Sequence, residues 1–430
     1  MDYRNIRKSK GWIYNALLPA IYLEYRMLFR KIYLHNRKGV PSNKPVLIAS
    51  NHPTAFIDPI FFCLFFDPPV YNMTRGDIFR KPFYRKLLEH CNMFPVYRKR
   101  DGYGKHDRND EVFEYCQQKM LDGVAVNIFV EGEHHLDKRV LSMQKGIARI
   151  AFGTYENHKL DDLQVIPVGC NYVAGDILRD EAKLNVGSPL FIKDYWEHYQ
   201  ESPGAAINAL CSDIRNALIE ICYHIEDRDD DVLAEQLLTL WRNDNPANLL
   251  PIVENSNNRF LGEKKVLESV NTMAKEQKVV LFEQTSNYFE VLEQAGVNDE
   301  SLTQPQRGDW TWMLLFILGS IPNALGYILS WPVQALAQWV TKNKVKKREF
   351  RTSILLGVGA IGNLFYYIIM FLVGLFMGWP ILVSTAIMLP LLTWFSFFWN
   401  ERLAQWHAAR AALKHPDRDK MLAMRKAINY

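Results

Sequence analysis

A histidine and an aspartate stand six positions apart, as His52 and Asp58, in a segment that begins Asn51-His52-Pro53. The apolar residues 45–50 before them predict a buried strand, and α/β folds hold reactive groups where such strands end. A carboxylate beside an imidazole fixes its tautomer, so that the free ring nitrogen accepts a proton from an alcohol. We predict that His52 is a general base and Asp58 its orienting partner.

The prolines of this segment affect how the pair would be placed. Pro53 suits the first position of a helix and Pro59 the start of the next. Asp58 precedes a proline and is therefore predicted to leave helical geometry and turn back towards His52. The alternative is that Asp58 caps a helix and that His52 is an ordinary loop histidine.

Two further segments place polar groups directly after apolar runs. Arg98 and Arg100 follow one such run, and arginine is suited to bidentate binding of phosphate. Glu131 and Gly132 follow another, where the carboxylate could bind hydroxyl groups and the glycine could admit a substrate to the backbone. The alternatives are a solvated basic turn and a plain strand-turn.

The elements that would position these groups alternate along the chain. From about residue 45 to residue 195, short apolar runs are separated by amphipathic stretches such as 110–121. Strands separated by helices predict an α/β domain. Residues 205–300 are polar and helical in pattern, which predicts a helical appendage with no chemistry of its own.

The first 39 residues predict a helix at a membrane interface, because apolar residues recur at helical spacing with basic residues between them. These apolar residues are Trp12, Ile13, Leu17, Ile21, Leu28 and Ile32. A core helix packed on the domain is the alternative. A cleaved signal peptide is disfavoured, since Pro19 interrupts the apolar run and no small-residue cleavage site follows.

Two long segments near the end, residues 310–340 and 352–400, contain no charged residue. A helix needs about 20 apolar residues to cross a bilayer, so the 49 residues of 352–400 accommodate two spans. Residues 378–380, Gly-Trp-Pro, predict the turn between them. Pro322 and Pro332 predict that the earlier segment is one kinked span or a re-entrant hairpin.

Basic residues between positions 342 and 351, and again after Asn400, indicate that both flanks of the second segment lie in the cytoplasm. Residues 352–400 would then form a two-span hairpin. Residues 310–340 would enter the bilayer and return if the N-terminal domain is cytoplasmic as well.

Composition excludes several other classes of protein. A net charge of +4 and the lack of known binding motifs argue against nucleic acid as a partner. The six cysteines have no C-x-x-C spacing and indicate reduced thiols. Residues 131–137 contain two histidines but no H-E-x-x-H arrangement, so no metal site is expected. No G-x-S-x-G segment occurs, which disfavours a serine lipase.

Taken together, the polar segments resemble the sequence blocks of the phospholipid/glycerol acyltransferase superfamily, which includes glycerol-3-phosphate and lysophosphatidate acyltransferases. Those blocks are Asn-His followed by Asp, an apolar stretch ending in Arg, Phe-Pro-Glu-Gly, and an apolar run containing Pro. Here they stand, in the same order, as Asn51-His52 with Asp58, and residues 94–98, 129–132 and 165–168. The resemblance covers about residues 45–190.

This resemblance implies an α/β acyltransferase domain, with a mixed sheet flanked by helices, in which an acceptor hydroxyl attacks an acyl thioester directly. It implies that His52 is the general base and Asp58 its partner. Arg98 then resembles the ligand of the acceptor phosphate, and Glu131 and Gly132 resemble acceptor-site residues.

The chain departs from the family pattern at two places. Five residues separate His52 from Asp58, one more than the commonest spacing, and a branch of glycerol-3-phosphate acyltransferases shares this longer loop. Val130 replaces the usual proline, and residues 133–135 are Glu-His-His where Thr-Arg-Ser is common, so one familiar basic contact is missing. The candidates to supply that charge are Lys138, Arg139 and Lys145.

We therefore expect a membrane-bound O-acyltransferase of phospholipid synthesis, with its catalytic domain facing the cytoplasm and no cofactor. It would move a fatty acyl group from acyl-CoA or acyl carrier protein to glycerol-3-phosphate or lysophosphatidate. The alternatives are a different lysolipid or aminolipid acceptor, or a catalytically silent lipid-binding membrane scaffold. The predicted domains are an interfacial helix (1–39), the acyltransferase domain (40–204), a helical appendage (205–305), and a membrane region with a basic tail (306–430).

Overall fold

The computed structural model describes residues 12–96 and 107–430. The chain divides into two compact units. The first, which we call the sheet unit, consists of Met1–Tyr223, Pro251–Asn257 and Lys347–Ser353. The second, the helical unit, consists of His224–Leu250, Asn258–Lys346 and Ile354–Tyr430.

A mixed sheet forms the centre of the sheet unit, with nine strands in the part of the chain that the structure describes. The strands are β1 (Phe29–His35), β2 (Val46–Ser50), β3 (Val70–Arg75), β4 (Met93–Val96), β5 (Ala125–Phe129), β6 (Gln164–Tyr172), β7 (Asp180–Val186), β8 (Leu190–Phe191) and β9 (Val253–Glu254). Their order is β4-β3-β5-β2-β6-β7-β1-β9, and β8 pairs with β6. Neighbours from β4 to β6 are parallel, β6 and β7 are antiparallel, and β7, β1 and β9 are again parallel.

The register of the parallel strands determines where the loops of the site emerge. Ser50, the last residue of β2, lies opposite Phe129 of β5 and Val168 of β6. Because the strands are parallel, the segments that follow β2 and β5 leave the sheet at the same edge. Every residue of β2 and β6 is buried, as expected for central strands covered on both faces.

Helices flank this sheet. In chain order they are α1 (Trp12–Leu28), α2 (Ile57–Phe65), α3 (Pro82–His90), α4 (Asp107–Leu121), α5 (Gly146–His158), α6 (Trp196–Glu201) and α7 (Pro203–Ile221). One continuous apolar core joins the central strands to α4, α5 and α7, with Val126, Cys116, Ile147 and Ile214 among its buried members. The mixed sheet flanked by helices agrees with the predicted fold class.

The helical unit contains the remaining helices. They are α8 (Asp231–Asp244), α9 (Asn258–Thr272), α10 (Lys275–Ala295), α11 (Asp299–Thr303), α12 (Trp310–Lys344), α13 (Arg351–Phe376), α14 (Pro380–Lys414) and α15 (Arg418–Ala427). The first residues of α13 belong to the sheet unit. Asp299 is nearly fully buried and accepts hydrogen bonds from Tyr288 Oη (2.6 Å) and Arg425 Nε (2.8 Å), which ties α11 to α10 and α15.

Three helices, α12, α13 and α14, are long and apolar enough to cross a bilayer. At most 22% of the most apolar window of each is buried inside the protein, which is typical of helices that associate with a membrane. Small residues bring α12 and α14 together: a Cβ on Gly319 would lie 2.8 Å from Trp399 Cδ1.

The structure differs from the sequence predictions in two segments and excludes one of two predicted alternatives in a third. The predicted interfacial helix of residues 1–39 ends at Leu28, and Ile32 lies in β1, because residues 29–35 pair with β7. Helix α7 packs on the sheet, beyond the predicted domain end at residue 204. Residues 310–344 form one continuous helix without the turn that a re-entrant hairpin requires, since an apolar helix tolerates internal prolines.

Candidate active site

The segment that contains His52 joins β2 to α2 and is attached to the neighbouring strand by Asn51. The Asn51 side chain donates from Nδ2 to the carbonyl oxygen of Cys170 (2.9 Å) and accepts from its backbone N–H (2.8 Å). This pair of bonds extends the contact between β2 and β6 by one residue after β2 ends. The asparagine therefore fixes the direction in which the chain leaves the sheet.

The predicted pair of His52 and Asp58 is in contact. His52 Nδ1 lies 2.8 Å from Asp58 Oδ2, and the Asp58 side chain is fully buried. The same carboxylate accepts from the backbone N–H of Thr54 (2.9 Å), from Thr54 Oγ1 (2.8 Å) and from Tyr172 Oη (2.7 Å). These bonds hold both oxygens in place, and the carboxylate makes His52 Nδ1 the protonated ring nitrogen.

The other ring nitrogen of His52 remains available to a substrate. Among the residues that the structure describes, none makes a hydrogen bond to Nε2, and 14% of the side chain is exposed. Phe129 stacks on the imidazole, with ring centroids 3.6 Å apart and planes 10° apart. The ring is thus held on one face by an aromatic side chain and at one edge by a carboxylate, and Nε2 can accept a proton.

Asp58 reaches His52 by a different route from the one predicted. It lies inside the first turn of α2, which begins at Ile57, and Pro53 lies in the preceding loop. Proline at position 59 costs no hydrogen bond because the first N–H groups of a helix have no intrahelical partner. Asp58 is therefore helical, and the turn back towards His52 is made by the loop.

Glu131 lies beside His52, but its carboxylate is directed into the protein. Its side chain is fully buried, and it accepts from the backbone N–H of His52 (3.3 Å) and of Leu141 (2.8 Å). The backbone N–H of His135 also donates to the carbonyl oxygen of His52 (3.2 Å). Glu131 therefore holds the backbone of the base, and its contact with an acceptor hydroxyl remains a prediction.

The remaining predicted residues are distributed as follows. Gly132 has a φ of +74°, and a Cβ there would lie 3.1 Å from Gln144 Cγ, so the glycine serves the turn itself. Lys145 is exposed at the start of α5, near Cys211, and its contact with a substrate remains a prediction. Arg98 and Arg100 lie outside the described residues.

Two histidines, His134 and His135, lie near His52. In the sequence they were noted only because they stand where the family commonly has other residues. The His134 ring centroid lies 5.6 Å from that of His52, and burial, together with His52, lowers the pKa of His134. His135 Nε2 lies 3.3 Å from Glu131 Oε2. Burial lowers the pKa of His135, but the hydrogen bond and charge of Glu131 outweigh it and raise that pKa above its ordinary value.

Several polar residues that support the site were missed. Ser50 Oγ donates to Asn127 Oδ1 (2.8 Å), and Asn127 Nδ2 donates to Asn72 Oδ1 (3.0 Å), which links β2, β5 and β3 below the site. A polar residue within an apolar strand pattern could have indicated Asn127. Tyr172 had no such signal, since 114 residues separate it from Asp58. Burial and the charge of Asp58 raise the pKa of Tyr172 well above its ordinary value.

Comparison with known proteins gives one matching family and two relatives. Residues 31–171 match the family model described as Acyltransferase. Uncharacterized acyltransferase C1718.04 of Schizosaccharomyces pombe is 24% identical over 230 residues, 50% of this chain and 33% of that protein. Glycerol-3-phosphate O-acyltransferase 1 of Saccharomyces cerevisiae is 24% identical over 154 residues, 35% of this chain and 20% of that protein.

The chain spans about a third or less of the length of these curated relatives. Among solved structures, the 1-acyl-sn-glycerophosphate (LPA) acyltransferase PlsC of Thermotoga maritima has a TM-score of 0.36 and 16% identity. The structural match covers 48% of this chain and 80% of the PlsC chain.

Proposed function

We propose that this chain, whose residues 31–171 match the family model described as Acyltransferase, is a membrane-bound O-acyltransferase of phospholipid synthesis. It moves a fatty acyl group from a thioester, acyl-CoA or acyl carrier protein, to the hydroxyl of glycerol-3-phosphate or lysophosphatidate. The observation that carries this proposal is the contact between His52 and the buried Asp58, which leaves Nε2 open to a substrate.

The proposed reaction begins with proton transfer to His52. The acceptor hydroxyl donates its hydrogen bond to Nε2 and loses its proton there as its oxygen attacks the thioester carbonyl carbon. The imidazolium that forms is stabilised by the Asp58 carboxylate, 2.8 Å from Nδ1. The tetrahedral intermediate then collapses, the carbon–sulfur bond breaks, and the departing thiolate takes the proton from Nε2. The products are an ester and a free thiol.

Two observations support glycerol-3-phosphate as the first acceptor to test. The loop of five residues between His52 and Asp58 has the length found in a branch of glycerol-3-phosphate acyltransferases. A yeast protein named glycerol-3-phosphate O-acyltransferase 1 is 24% identical over 154 residues. In this proposal the guanidinium group of Arg98 binds the phosphate of the acceptor, with Arg100 and Lys145 as further basic groups.

The three apolar helices support the proposed membrane association of the enzyme, and its orientation is also part of the proposal. Segment Lys347–Ser353 belongs to the sheet unit, and basic residues crowd positions 342–351. Since short basic loops stay in the cytoplasm, the sheet unit with its active site faces the cytoplasm in this proposal, where acyl-CoA and acyl carrier protein are found. Parts of this unit precede and follow α12 in sequence, so the proposal requires that α12 lies in the membrane without crossing it. A protease-protection assay on sealed vesicles tests this orientation.

The decisive experiment is an acyl-transfer assay on membranes that contain the full chain. Glycerol-3-phosphate, lysophosphatidate, another lysophospholipid and a lyso-aminolipid are offered in turn, each with acyl-CoA and with acyl carrier protein. His52→Ala should reduce transfer by at least about 10³-fold. His158→Ala is the matched control, because His158 is exposed at the end of α5, and it should keep the wild-type rate.

Each alternative gives a different result in the same assay. A preference for the lysophospholipid or the lyso-aminolipid would keep the enzyme class and change the acceptor. Transfer to none of the acceptors by a folded, membrane-inserted chain would favour the lipid-binding scaffold. Equal transfer by wild type and His52→Ala would remove the proposed mechanism.

A further inference from the structure

A short segment from the far end of the chain lies on the catalytic loop. Residues Lys347–Ser353 follow the apolar helix α12 in sequence and include the first three residues of α13, yet they belong to the sheet unit. We call this segment the strap. It lies well outside residues 31–171, which match the acyltransferase family, and it therefore adds contacts that the matched segment does not contain.

The strap accepts hydrogen bonds from the loop that joins His52 to Asp58. The backbone N–H of Ala55 donates to the carbonyl oxygen of Glu349 (3.2 Å), and that of Phe56 donates to Ser353 Oγ (2.9 Å). Phe56 directly precedes α2, where N–H groups have no intrahelical partner, and its own side chain forms no cap. Ser353, itself 5% exposed, supplies the missing acceptor.

A rigid turn between β6 and β7 anchors the strap. Arg348 donates to both carboxylate oxygens of Asp176 (2.8 and 3.3 Å), and Thr352 Oγ1 donates to the carbonyl oxygen of Gly175 (2.8 Å). The turn is itself fixed by Asp180, whose carboxylate accepts from the N–H groups of Ala174 (3.1 Å) and Gly175 (2.7 Å). The Arg348 side chain is 66% exposed, so the buried bond of Thr352 contributes most to holding the strap on this turn.

The aromatic residue of the strap reaches the histidines of the site. The Phe350 ring centroid lies 4.8 Å from that of His134, edge to face, and 6.2 Å from that of Phe56. His134 in turn lies 5.6 Å from His52. The strap thus contacts the catalytic loop through the Glu349 carbonyl oxygen, the Ser353 hydroxyl and the Phe350 ring.

We propose that the strap positions the catalytic loop, and that Ser353 is the positioning residue that holds Phe56 so that Asp58 meets His52 in the reactive geometry. This inference rests on the proposed acyltransferase function and adds a contribution from outside the family segment. Ser353 acts through the loop: its hydroxyl is occupied by the Phe56 N–H, and it does not touch the reacting atoms. Its loss should therefore lower the rate of the chemical step and leave substrate binding nearly unchanged.

The test compares Ser353→Ala with wild type in the full-length protein. We expect kcat to fall about ten-fold, while the KM values for donor and acceptor change less than about two-fold. Ser353→Thr keeps the hydroxyl and should restore most of the rate. In a His52→Ala background, Ser353→Ala should cause no further loss. Ser384→Ala, an exposed serine within α14 that donates to the Ile381 carbonyl oxygen, is the matched control.

Amide hydrogen exchange provides a measurement that does not depend on activity. Peptides covering residues 52–58 should exchange faster in Ser353→Ala than in wild type, because the Phe56 N–H loses its acceptor. Unchanged exchange there, or an unchanged kcat in a protein that transfers acyl groups, overturns the role of the strap. A wild-type chain with no transferase activity overturns the proposed function instead, and the exchange measurement still decides whether Ser353 holds the loop.

Discussion

Replacing Asp58 with asparagine removes a buried charge and keeps the shape of the side chain. The backbone N–H of Thr54 and the Nδ1–H of His52 can only donate, and both bond to Oδ2. The hydroxyl groups of Thr54 and Tyr172, which bond to Oδ1, can rotate and accept. The asparagine oxygen should therefore take the Oδ2 position, and the tautomer of His52 should be kept.

The size of the effect follows from the charge that is lost. The Asp58 side chain is fully buried and the His52 side chain is 14% exposed. The positive charge of the imidazolium is spread over its ring and lies roughly 4 Å from the carboxylate charge. With an effective dielectric constant of about 20, the attraction between the two charges is about 4 kcal/mol. A neutral hydrogen bond to asparagine retains about 1 kcal/mol of this. The remaining loss of about 3 kcal/mol in the transition state corresponds to a decrease of roughly 10²-fold in kcat.

The assay measures the initial rate of thiol release from the acyl donor, with the ester product identified by mass spectrometry. Thermal unfolding confirms that Asp58→Asn is folded. Asp213→Asn is the matched control, because Asp213 also accepts a tyrosine hydroxyl (Tyr195, 2.7 Å) but is exposed. A decrease of less than about five-fold in a stable Asp58→Asn protein would refute the idea that this carboxylate stabilises the imidazolium.

Three further predictions concern other residues that the sequence or the structure singles out. Arg98→Ala should raise KM at least about ten-fold for phosphorylated acceptors and little for unphosphorylated ones; equal losses in steady-state kinetics would remove the phosphate role. Gly132→Ala should destabilise the fold by about 1–2 kcal/mol, measured by thermal unfolding, because its φ is +74° and an added Cβ would lie 3.1 Å from Gln144 Cγ. His135→Gln should cost more stability near pH 5.5 than near pH 8.5. Glu131 raises the pKa of His135, so this stabilisation is present below the ordinary pKa and is lost as the pH rises through the raised one; an equal cost in unfolding experiments at both pH values would contradict it.

Where the local sequence pattern decides the structure, the sequence predicted which strands and helices form the sheet unit. Apolar runs separated by amphipathic stretches indicated the alternation of strands and helices, and residues 45–50 correspond to β2. Because His52 follows the end of that strand, the edge of the sheet where it lies could also be predicted. The pairing with Asp58 followed from the chemistry of a histidine near a carboxylate, and the structure has the two in contact.

Segments whose conformation depends on distant partners were predicted less well. Residues 29–35 had a helical pattern, but they form β1 because β7, about 150 residues later, offers a strand to pair with. Asp58 was expected outside the helix on account of Pro59, yet the first turn of α2 accepts that proline without losing a hydrogen bond. In both cases the local preference was weaker than the tertiary context.

By itself, the sequence determined the chemical groups of this protein: a histidine and an aspartate six positions apart, a segment at residues 31–171 that matches an acyltransferase family model, and apolar segments long enough to cross a bilayer. Only the tertiary structure decided what surrounds those groups. Tyr172 reaches Asp58 across 114 residues and Ser353 reaches Phe56 across 297. Contacts over such separations leave no periodic pattern along the chain, because they arise from the packing of strands and turns that meet only after folding.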